Sequence, residues 1–382
     1  MKIVHLGNVP LLAGHPDFNR VLNHPGRWVL NHAVAQKRFT GMDVEVVTIT
    51  HKTSCDFTME VEGVKVHYLK QVHPMRHLTF FAIEQFRVAR YVRKLCPDIV
   101  HAHGTEADYA LAAIRTGLPF CVTAQGLIFL ILEMMKDNPS LAQRIQCITE
   151  NYSWRHTQYG IAKSEYVHEV LARQYPHLDL TLIPNTYETI LEAPLEAPAQ
   201  APRLAYVGTM DRRKGIHVIS DAMLAVAKAF PDVELWVFGN FNNPAGYEAE
   251  QIQRLREILG DRLLLHGRIA SDKLFSKLRQ CKVLLAPSLE EMFGNQLIEA
   301  LMCGCHGIVA EGTALAENAV RFGNATVVPQ EDSVALAGAT IAALQNPPSR
   351  EECESARRRI CDYMGPQSVA QKHETLYKRI LA

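Results

Sequence analysis

A pair of carboxylates, with a glycine between them, forms the part of the chain best suited to hold a polar ligand. Glu291 and Glu299 are separated by seven residues, and a carboxylate has two acceptor oxygens that suit the neighbouring hydroxyls of a ribose or sugar. Phe293, Gly294 and Asn295 lie between them, where an apolar strand gives way to a helix. Free amides at a helix N-terminus bind anions such as phosphate, and glycine allows a ligand to approach closely. The alternative is a capped helix whose glutamates face solvent.

A second segment of the same kind carries three neighbouring cations. Gly208 follows another apolar strand, and Arg212, Arg213 and Lys214 precede the next helix. Positive side chains oppose the helix dipole at this end, so an anion is needed to compensate them. A bound diphosphate would supply that compensation, whereas a charge run exposed to solvent is the alternative.

Each of these two segments should follow a β-strand, and the strands together should position them. Short β-branched strands alternate with amphipathic helices from residue 2 to residue 183, and the alternation restarts at residue 204. This pattern predicts βαβ units, and hence an α/β fold with two doubly wound, Rossmann-like domains. Such sheets bind ligands at the carboxyl ends of their strands, so two facing domains would enclose one cleft.

Prolines mark the division between the two domains. Residues 188–202 contain three prolines and no strand pattern, as is typical of a linker. The tail holds two helical stretches divided by Gly365 and Pro366, and we expect the final one to fold back onto the first domain. The predicted segments are an N-terminal domain over 1–188, a linker over 189–202, a C-terminal domain over 203–365 and a returning helix over 366–382.

Charge and composition exclude several classes of protein. The chain has 382 residues with 40 basic and 40 acidic side chains, and binding to nucleic acid needs a surplus of cations. The apolar stretch 127–132 is far shorter than the ~20 residues of a membrane span. The first residues lack the pattern of a secretory signal. Nine cysteines without a Cys-x-x-Cys pair indicate free thiols, so we expect a cytoplasmic protein.

Two histidines on one strand raise the question of a metal. His101 and His103 alternate, so both rings lie on the same face of the predicted strand. A zinc ion needs further ligands, and no spacing in the sequence predicts them. We therefore predict no metal and no cofactor.

The two glycine-containing segments together resemble the retaining glycosyltransferases of family four, which have the GT-B fold. That family has two glutamates separated by seven residues in the setting Pro-Ser-x-x-Glu-x-Phe-Gly, and Glu291 and Glu299 match them position by position. Lys214 matches the family's diphosphate-binding lysine. Thr209 stands where the family often has an arginine, and Arg212 and Arg213 are both candidates to replace it.

The resemblance continues outside these two segments. Arg268 and Ile269 fall in a loop that packs against the nucleotide base in the family, and Gly26 stands in its Gly-Gly loop over the donor phosphates. His103 ends a strand in the family's His-x-His pattern. Gln125 replaces a histidine near the donor sugar, and it can offer a carbonyl or an amide to a hydroxyl but cannot titrate.

The resemblance implies a hexosyltransferase that moves a sugar from a nucleotide diphosphate sugar to a hydroxyl acceptor, with retention of configuration and without a metal. Uridine diphosphate sugars are favoured as donors, with guanosine diphosphate sugars second. The implied catalytic residues are Glu291, Lys214 and Arg213. The implied donor-binding residues are Glu299, Phe293, Gly294, Asn295, Arg212, Gly208, Gly26, Arg268 and Ile269. The implied residues on the side of the acceptor or sugar are His103 and Gln125.

The implied partners are the nucleotide sugar and a sugar, glycan or lipid-linked acceptor, in polysaccharide or glycolipid synthesis. A lipid-linked acceptor would place the protein peripherally at the inner face of a membrane. Residues 127–135 are either a buried helix or an apolar surface for such an acceptor. The alternatives are a GT-B sugar-nucleotide epimerase or phosphorylase, and a non-catalytic protein that binds nucleotide sugars; Gln125 leaves room for the last.

Overall fold

The computed structural model describes residues 1–18, 27–72, 79–105, 107–134, 139–186, 195, 201–241 and 246–382. Contacts between residues divide the chain into two units, each built on its own sheet. Unit 1 comprises Met1–Glu188 and Tyr363–Ala382, and unit 2 comprises Thr189–Asp362. Two α/β units with largely parallel sheets confirm the fold class expected from the alternation of strands and helices.

The described residues of unit 1 form a sheet of eight strands. They are β1 (Lys2–Leu6), β2 (Asp43–Thr50), β3 (Phe57–Val61), β4 (Val64–Lys70), β5 (Ile99–His103), β6 (Phe120–Thr123), β7 (Tyr159–Ala162) and β8 (Asp179–Leu182). Their order in the sheet is β3-β4-β2-β1-β5-β6-β7-β8, and every pair except β3 with β4 is parallel. The strand order therefore reverses between β1 and β5, which is where doubly wound sheets bind ligands.

The described residues of unit 1 form seven helices. They are α1 (Trp28–Thr40), α2 (Ala82–Leu95), α3 (Asp108–Thr116), α4 (Ile128–Met134), α5 (Leu141–Arg155), α6 (Glu165–Gln174) and the returning helix α14 (Pro366–Leu381). Helix α14 packs against α1, where it buries Val369, Leu376 and Tyr377 in the core of unit 1. Pro366 lies in its first turn, a position that tolerates the missing amide hydrogen.

Strand β3 is one element that the sequence did not predict. It forms an antiparallel hairpin with β4 through Glu62 and Gly63, which both have positive φ, as a two-residue hairpin turn requires. Because β3 lies at the edge of the sheet, its side chains alternate between half-buried and exposed and form no apolar run.

In unit 2, the part of the chain that the structure describes forms six strands, all parallel. They are β9 (Arg203–Val207), β10 (Glu234–Phe238), β11 (Leu263–Gly267), β12 (Val283–Ala286), β13 (His306–Ala310) and β14 (Ala325–Val328). Their order is β11-β10-β9-β12-β13-β14, so the reversal of order lies between β9 and β12. The ligand-binding edge of such a sheet is therefore formed by the residues that follow these two strands.

The helices of unit 2 cover both faces of this sheet. They are α7 (Ile216–Ala229), α8 (Tyr247–Leu259), α9 (Ser271–Leu278), α10 (Asn295–Met302), α11 (Ala314–Phe322), α12 (Ser333–Gln345) and α13 (Arg350–Met364), whose last residues pass into unit 1. No helix in the described part of the chain is both long and apolar enough to cross a membrane.

Candidate functional site

A short, tightly bonded loop presents the cations that follow β9. The side chain of Asp211 accepts a hydrogen bond from the backbone amide of Lys214 at 2.9 Å and another from the hydroxyl of Thr209 at 2.6 Å. The hydroxyl of Tyr206 donates to the carbonyl of Thr209 at 2.6 Å. These bonds hold residues 212–214 in a single 3-10 turn immediately before α7.

This loop is in direct contact with the loop that follows β12. Gly215 has a φ of 73°, and a Cβ atom there would lie 2.0 Å from the carbonyl oxygen of Pro287. The backbone amide of Leu289 donates to the carbonyl of Arg213 at 2.8 Å. The structure thus brings together the two segments that the sequence singled out separately.

Lys214 and Glu291 form an ion pair at the junction of the two loops. The ammonium lies 2.5 Å from Oε2 of Glu291, and both side chains are largely buried. The amide nitrogen of Gln296 donates to the same oxygen at 3.0 Å. Burial raises the pKa of Glu291, but Lys214 and Gln296 outweigh it and bring the pKa below its ordinary value. The carboxylate is therefore ionised at neutral pH.

Glu290 is a site residue that the sequence analysis missed. Its side chain is buried, and Oε2 lies 3.0 Å from the guanidinium of Arg213. Burial raises the pKa of Glu290, although the positive charge of Arg213 opposes that rise. The adjacent glutamates at 290 and 291 were the available signal in the sequence. Only the fold shows that the two form ion pairs with different cations.

The two arginines that are candidates to replace the family arginine lie in different surroundings. Arg213 is anchored by Glu290 beside the Lys214–Glu291 pair. Arg212 lies 2.5 Å from Glu331, and both of these side chains are about half exposed. The structure therefore brings Arg213, and not Arg212, into contact with the loop after β12.

The start of α10 has the geometry expected of an anion site. Gly294 precedes the helix with a φ of 82°, and a Cβ atom there would lie 2.4 Å from Leu315. Among the described residues, no acceptor bonds the backbone amides of Phe293 and Gly294. The side chain of Phe293 is buried, and Asn295 is the first residue of the helix.

Glu299 lies one turn further along α10. Its carboxylate has no hydrogen-bond or ion-pair partner among the described residues, and it remains only partly open to solvent. Burial raises its pKa to about 7, because the charged form loses hydration and gains no compensating contact. A ligand with hydroxyl groups would supply the missing donors.

The loop after β11 lies at the same carboxyl edge of the sheet. The amide of Gly208 donates to the carbonyl of Phe238 at 2.9 Å, and the amide of Gly239 donates to that of Gly267 at 3.0 Å. These bonds link the ends of β9, β10 and β11. Arg268 and Ile269 follow directly, exposed and half-buried respectively.

In unit 1 the predicted residues His103 and Gln125 are in contact, whereas Gly26 lies outside the described residues. The amide nitrogen of Gln125 lies 3.3 Å from Nδ1 of His103. Lys163, a buried residue that the sequence analysis did not single out, donates a hydrogen bond to the side-chain oxygen of Gln125. A lysine at the end of β7 carries no motif, so only the fold could identify it.

His101 and His103 do have a third histidine beside them, contrary to the sequence expectation. His5, on the neighbouring strand β1, brings the ligand atoms of all three within 4.8 Å of one another. Every ring nitrogen already has a protein partner, namely Gln36, Thr123, Tyr377, Gln125 or another histidine of the group. The folded chain therefore uses these rings in a hydrogen-bond network.

The apolar residues 127–135 are neither wholly buried nor open. Leu127 is buried, residues 128–132 are half-buried and Glu133 is exposed, whereas the side chains of Met134 and Met135 lie outside the part of the chain that the structure describes. The buried carboxylate of Glu150 accepts hydrogen bonds from the amides of Ile128 at 2.9 Å and Phe129 at 3.0 Å. A buried charge thus holds the start of this apolar helix.

Two family models match the chain, one in each unit. Residues 26–186 match a model described as glycosyl transferase 4-like domain, and residues 201–346 match one described as glycosyl transferases group 1. A curated relative is the phosphatidyl-myo-inositol mannosyltransferase of Mycobacterium leprae, with 30% identity over 187 residues. The match covers 47% of this chain and 48% of that enzyme, so it spans about half of the relative's length.

Solved structures match over nearly the whole chain. A sucrose-phosphate synthase from Thermosynechococcus elongatus superposes with a TM-score of 0.79 at 21% identity, over 99% of this chain and 98% of the other. The Anabaena protein HepE, solved with UDP and glucose, gives 0.71 at 16% identity, over 99% and 100%. These likenesses concern the fold, and they confirm the expected GT-B class.

Proposed function

The chain belongs to the glycosyl transferases of group 1, and on that premise we propose that it moves a sugar from a nucleotide diphosphate sugar to a hydroxyl group of an acceptor, with retention of configuration. The observation that carries the proposal is the joining of Lys214, Glu291 and the unbonded amides before α10 at one edge of the unit 2 sheet. The cation and the free amides suit the diphosphate of such a donor, and carboxylates suit the hydroxyls of its ribose and its sugar.

The leaving group is the first part. As the bond to the sugar breaks, negative charge develops on the diphosphate, and preorganised donors that stabilise this charge supply a large share of catalysis. Lys214 and the amides of Phe293 and Gly294 would bind the phosphates, with Arg213 close by. The ammonium of Lys214 would then interact with the phosphate oxygens as well as with Glu291.

The ribose and the sugar are the other two parts. Glu299 has no partner among the described residues, so its carboxylate is available to accept hydrogen bonds from the ribose hydroxyls. Glu291 is held ionised by Lys214 and Gln296, and it would accept from hydroxyls of the sugar. Retention follows if the acceptor attacks from the face of the leaving group, whose oxygen takes the acceptor's proton, so that no enzyme nucleophile is needed.

We propose a uridine diphosphate sugar as the donor, with a guanosine diphosphate sugar second. The presence of UDP and glucose in the HepE structure supports this order. Arg268 and Ile269 would lie against the base. We propose a lipid-linked acceptor, which the named acceptor of the mycobacterial relative and the half-buried apolar residues of α4 support.

A thermal-shift panel of nucleotide sugars tests the donor, because a ligand that binds only the folded protein raises its melting temperature. We expect a shift with one nucleotide class and its loss in Glu299→Gln. The matched control is Glu351→Gln, which changes an exposed glutamate on α13. No shift with any nucleotide sugar would contradict the proposal.

Release of nucleotide diphosphate distinguishes an enzyme from a binding protein. We expect slow release from the bound donor without acceptor, and faster release when vesicles that contain phosphatidylinositol are added. A thermal shift without any release would instead support a non-catalytic protein.

A further inference from the structure

A line of hydrogen bonds crosses the interior of unit 1 from Lys163 to Gln36. Lys163 donates to Oε1 of Gln125, and Nε2 of Gln125 lies 3.3 Å from Nδ1 of His103. Nε2 of His103 lies 2.8 Å from Nδ1 of His5, and Nε2 of His5 lies 2.9 Å from Oε1 of Gln36. All five residues except Gln125, which is half-buried, are buried.

The donor and the acceptor of every hydrogen bond in this line can be deduced from Lys163, its first residue. A lysine ammonium has three donors and no acceptor, so it can meet only the oxygen of the Gln125 amide. The amide nitrogen of Gln125 then faces His103 and must donate to Nδ1. A neutral imidazole that accepts at one nitrogen carries its proton on the other. His103 therefore donates from Nε2 to His5, and His5 donates from Nε2 to Gln36.

The far end of the line agrees with this direction. Gln36 accepts at Oε1, so its amide nitrogen is directed elsewhere, and it donates to the hydroxyl of Tyr377 at 3.2 Å. Each donor thus meets an acceptor along the whole line. If the Gln125 amide were reversed, its nitrogen would face the Lys163 ammonium, and two donors would oppose each other in the protein interior.

We propose that Lys163 is a positioning residue that, with the histidine line behind it, holds Gln125 in one orientation so that its second N–H is a hydrogen-bond donor to a sugar oxygen of the substrate. This inference rests on the proposed function. The second N–H of Gln125 has no acceptor among the described residues. Unit 1 thus offers the sugar a neutral, fixed donor where the resembled family has a histidine.

The tautomers of the histidines test the orientation without any substrate. In protein labelled with 15N-histidine, long-range proton–nitrogen spectra distinguish a proton on Nε2 from one on Nδ1. We expect His103 and His5 to be neutral with the proton on Nε2 in the unchanged protein. A proton on Nδ1 of either ring, or a stoichiometric metal retained by the purified protein, would overturn the proposal.

Two substitutions test whether Lys163 acts through Gln125. With the nucleotide sugar that gives the largest thermal shift, we expect Lys163→Met and Gln125→Leu each to lower the rate of nucleotide diphosphate release about tenfold, the value of one hydrogen bond. The affinity for free nucleotide diphosphate should not change. Lys163→Arg keeps a donor at this position, and we expect it to retain most of the activity.

The double variant Lys163→Met/Gln125→Leu gives the decisive comparison. If Lys163 acts only by orienting Gln125, the double variant should be no slower than Gln125→Leu alone. Losses that multiply would overturn the positioning role. A protein that binds no nucleotide sugar would contradict the proposed function, whereas the histidine tautomers would still report on the orientation of Gln125.

Discussion

The ammonium of Lys214 lies 2.5 Å from Oε2 of Glu291, although 77 positions separate the two residues in the chain. They belong to the loops after β9 and β12, the two strands between which the strand order of unit 2 reverses. Either charge alone would be largely buried without compensation, so loss of one partner would leave the other unpaired. This pair links the loop proposed to bind the diphosphate to the carboxylate proposed to hold the sugar.

Replacement of Lys214 by methionine should slow sugar transfer more than it weakens donor binding. The cation stabilises charge that develops mainly as the diphosphate leaves, and loss of one such group lowers kcat by about 100-fold. Steady-state kinetics would measure this effect. Lys228→Met, an exposed change on α7 in the same unit, is the matched control. An unchanged kcat in Lys214→Met would refute the role given to this residue.

Replacement of Glu299 by glutamine should change how unit 2 responds to pH. Burial raises the pKa of Glu299 to about 7 from an ordinary value of 4.5, so the folded state holds a proton that the unfolded chain releases between these values. The contribution of this group to stability is therefore lost as pH rises through about 7. We expect Glu299→Gln to raise the melting temperature at about pH 8 and to change it little at about pH 5.

The same substitution should alter the pH dependence of donor binding. In the proposed function the ionised carboxylate accepts hydrogen bonds from the ribose hydroxyls, so donor affinity of the unchanged protein should increase from about pH 6 to about pH 8. Glu299→Gln should bind weakly at every pH and show no such increase. Titration calorimetry at several pH values measures both, and a parallel pH profile in the two proteins would contradict the assignment.

The buried histidines of unit 1 should make its stability sensitive to acid. Burial lowers the pKa of His5 to about 4 and that of His373 to about 3, and it also lowers those of His32, His101 and His103. Below their ordinary value of 6.5 the unfolded chain takes up protons that the folded unit rejects. Their contribution is complete above that pH and is lost as pH falls.

Urea unfolding at a series of pH values measures this effect. As pH falls from 6.5 towards about 4, His5 alone should lower the free energy of unfolding by at most about 1.4 kcal/mol per pH unit, the slope for uptake of one proton, and the other buried histidines should act in the same direction. His5→Gln should reduce the dependence of the unfolding free energy on pH by the amount that corresponds to one proton. A free energy of unfolding that does not change over this interval would show that the histidines are not held neutral.

Replacement of Gly215 by alanine should separate the two loops of unit 2. The new Cβ atom would lie 2.0 Å from the carbonyl oxygen of Pro287 at a positive φ, so we expect a loss of at least about 2 kcal/mol of stability and weaker donor binding. Gly338→Ala in α12 is the matched control. Nothing lies within 4 Å of its Cβ position, and alanine favours a helix by about 0.5–1 kcal/mol. Chemical unfolding of both variants compares them.

The sequence by itself determined the bounds of several strands and helices, and it singled out the segments after them that carry charged residues and glycine. The strands Glu234–Phe238 and Val283–Ala286 and the helix Asn295–Met302 have the bounds predicted from their apolar patterns. This succeeds because side-chain periodicity and glycine act locally, over one or two turns of chain. The spacing of Glu291 and Glu299 likewise lies within a single segment.

Only the tertiary structure decided which segments meet. Lys214 reaches Glu291, Arg213 reaches the unpredicted Glu290, and Lys163 reaches Gln125 because the order of parallel strands sets neighbouring loops side by side. That order depends on pairing between strands far apart in the chain, which leaves no local periodic signal. Most residues of the candidate site could be named from the sequence, but Glu290 and Lys163 could not, and the partners of all these residues come from the fold.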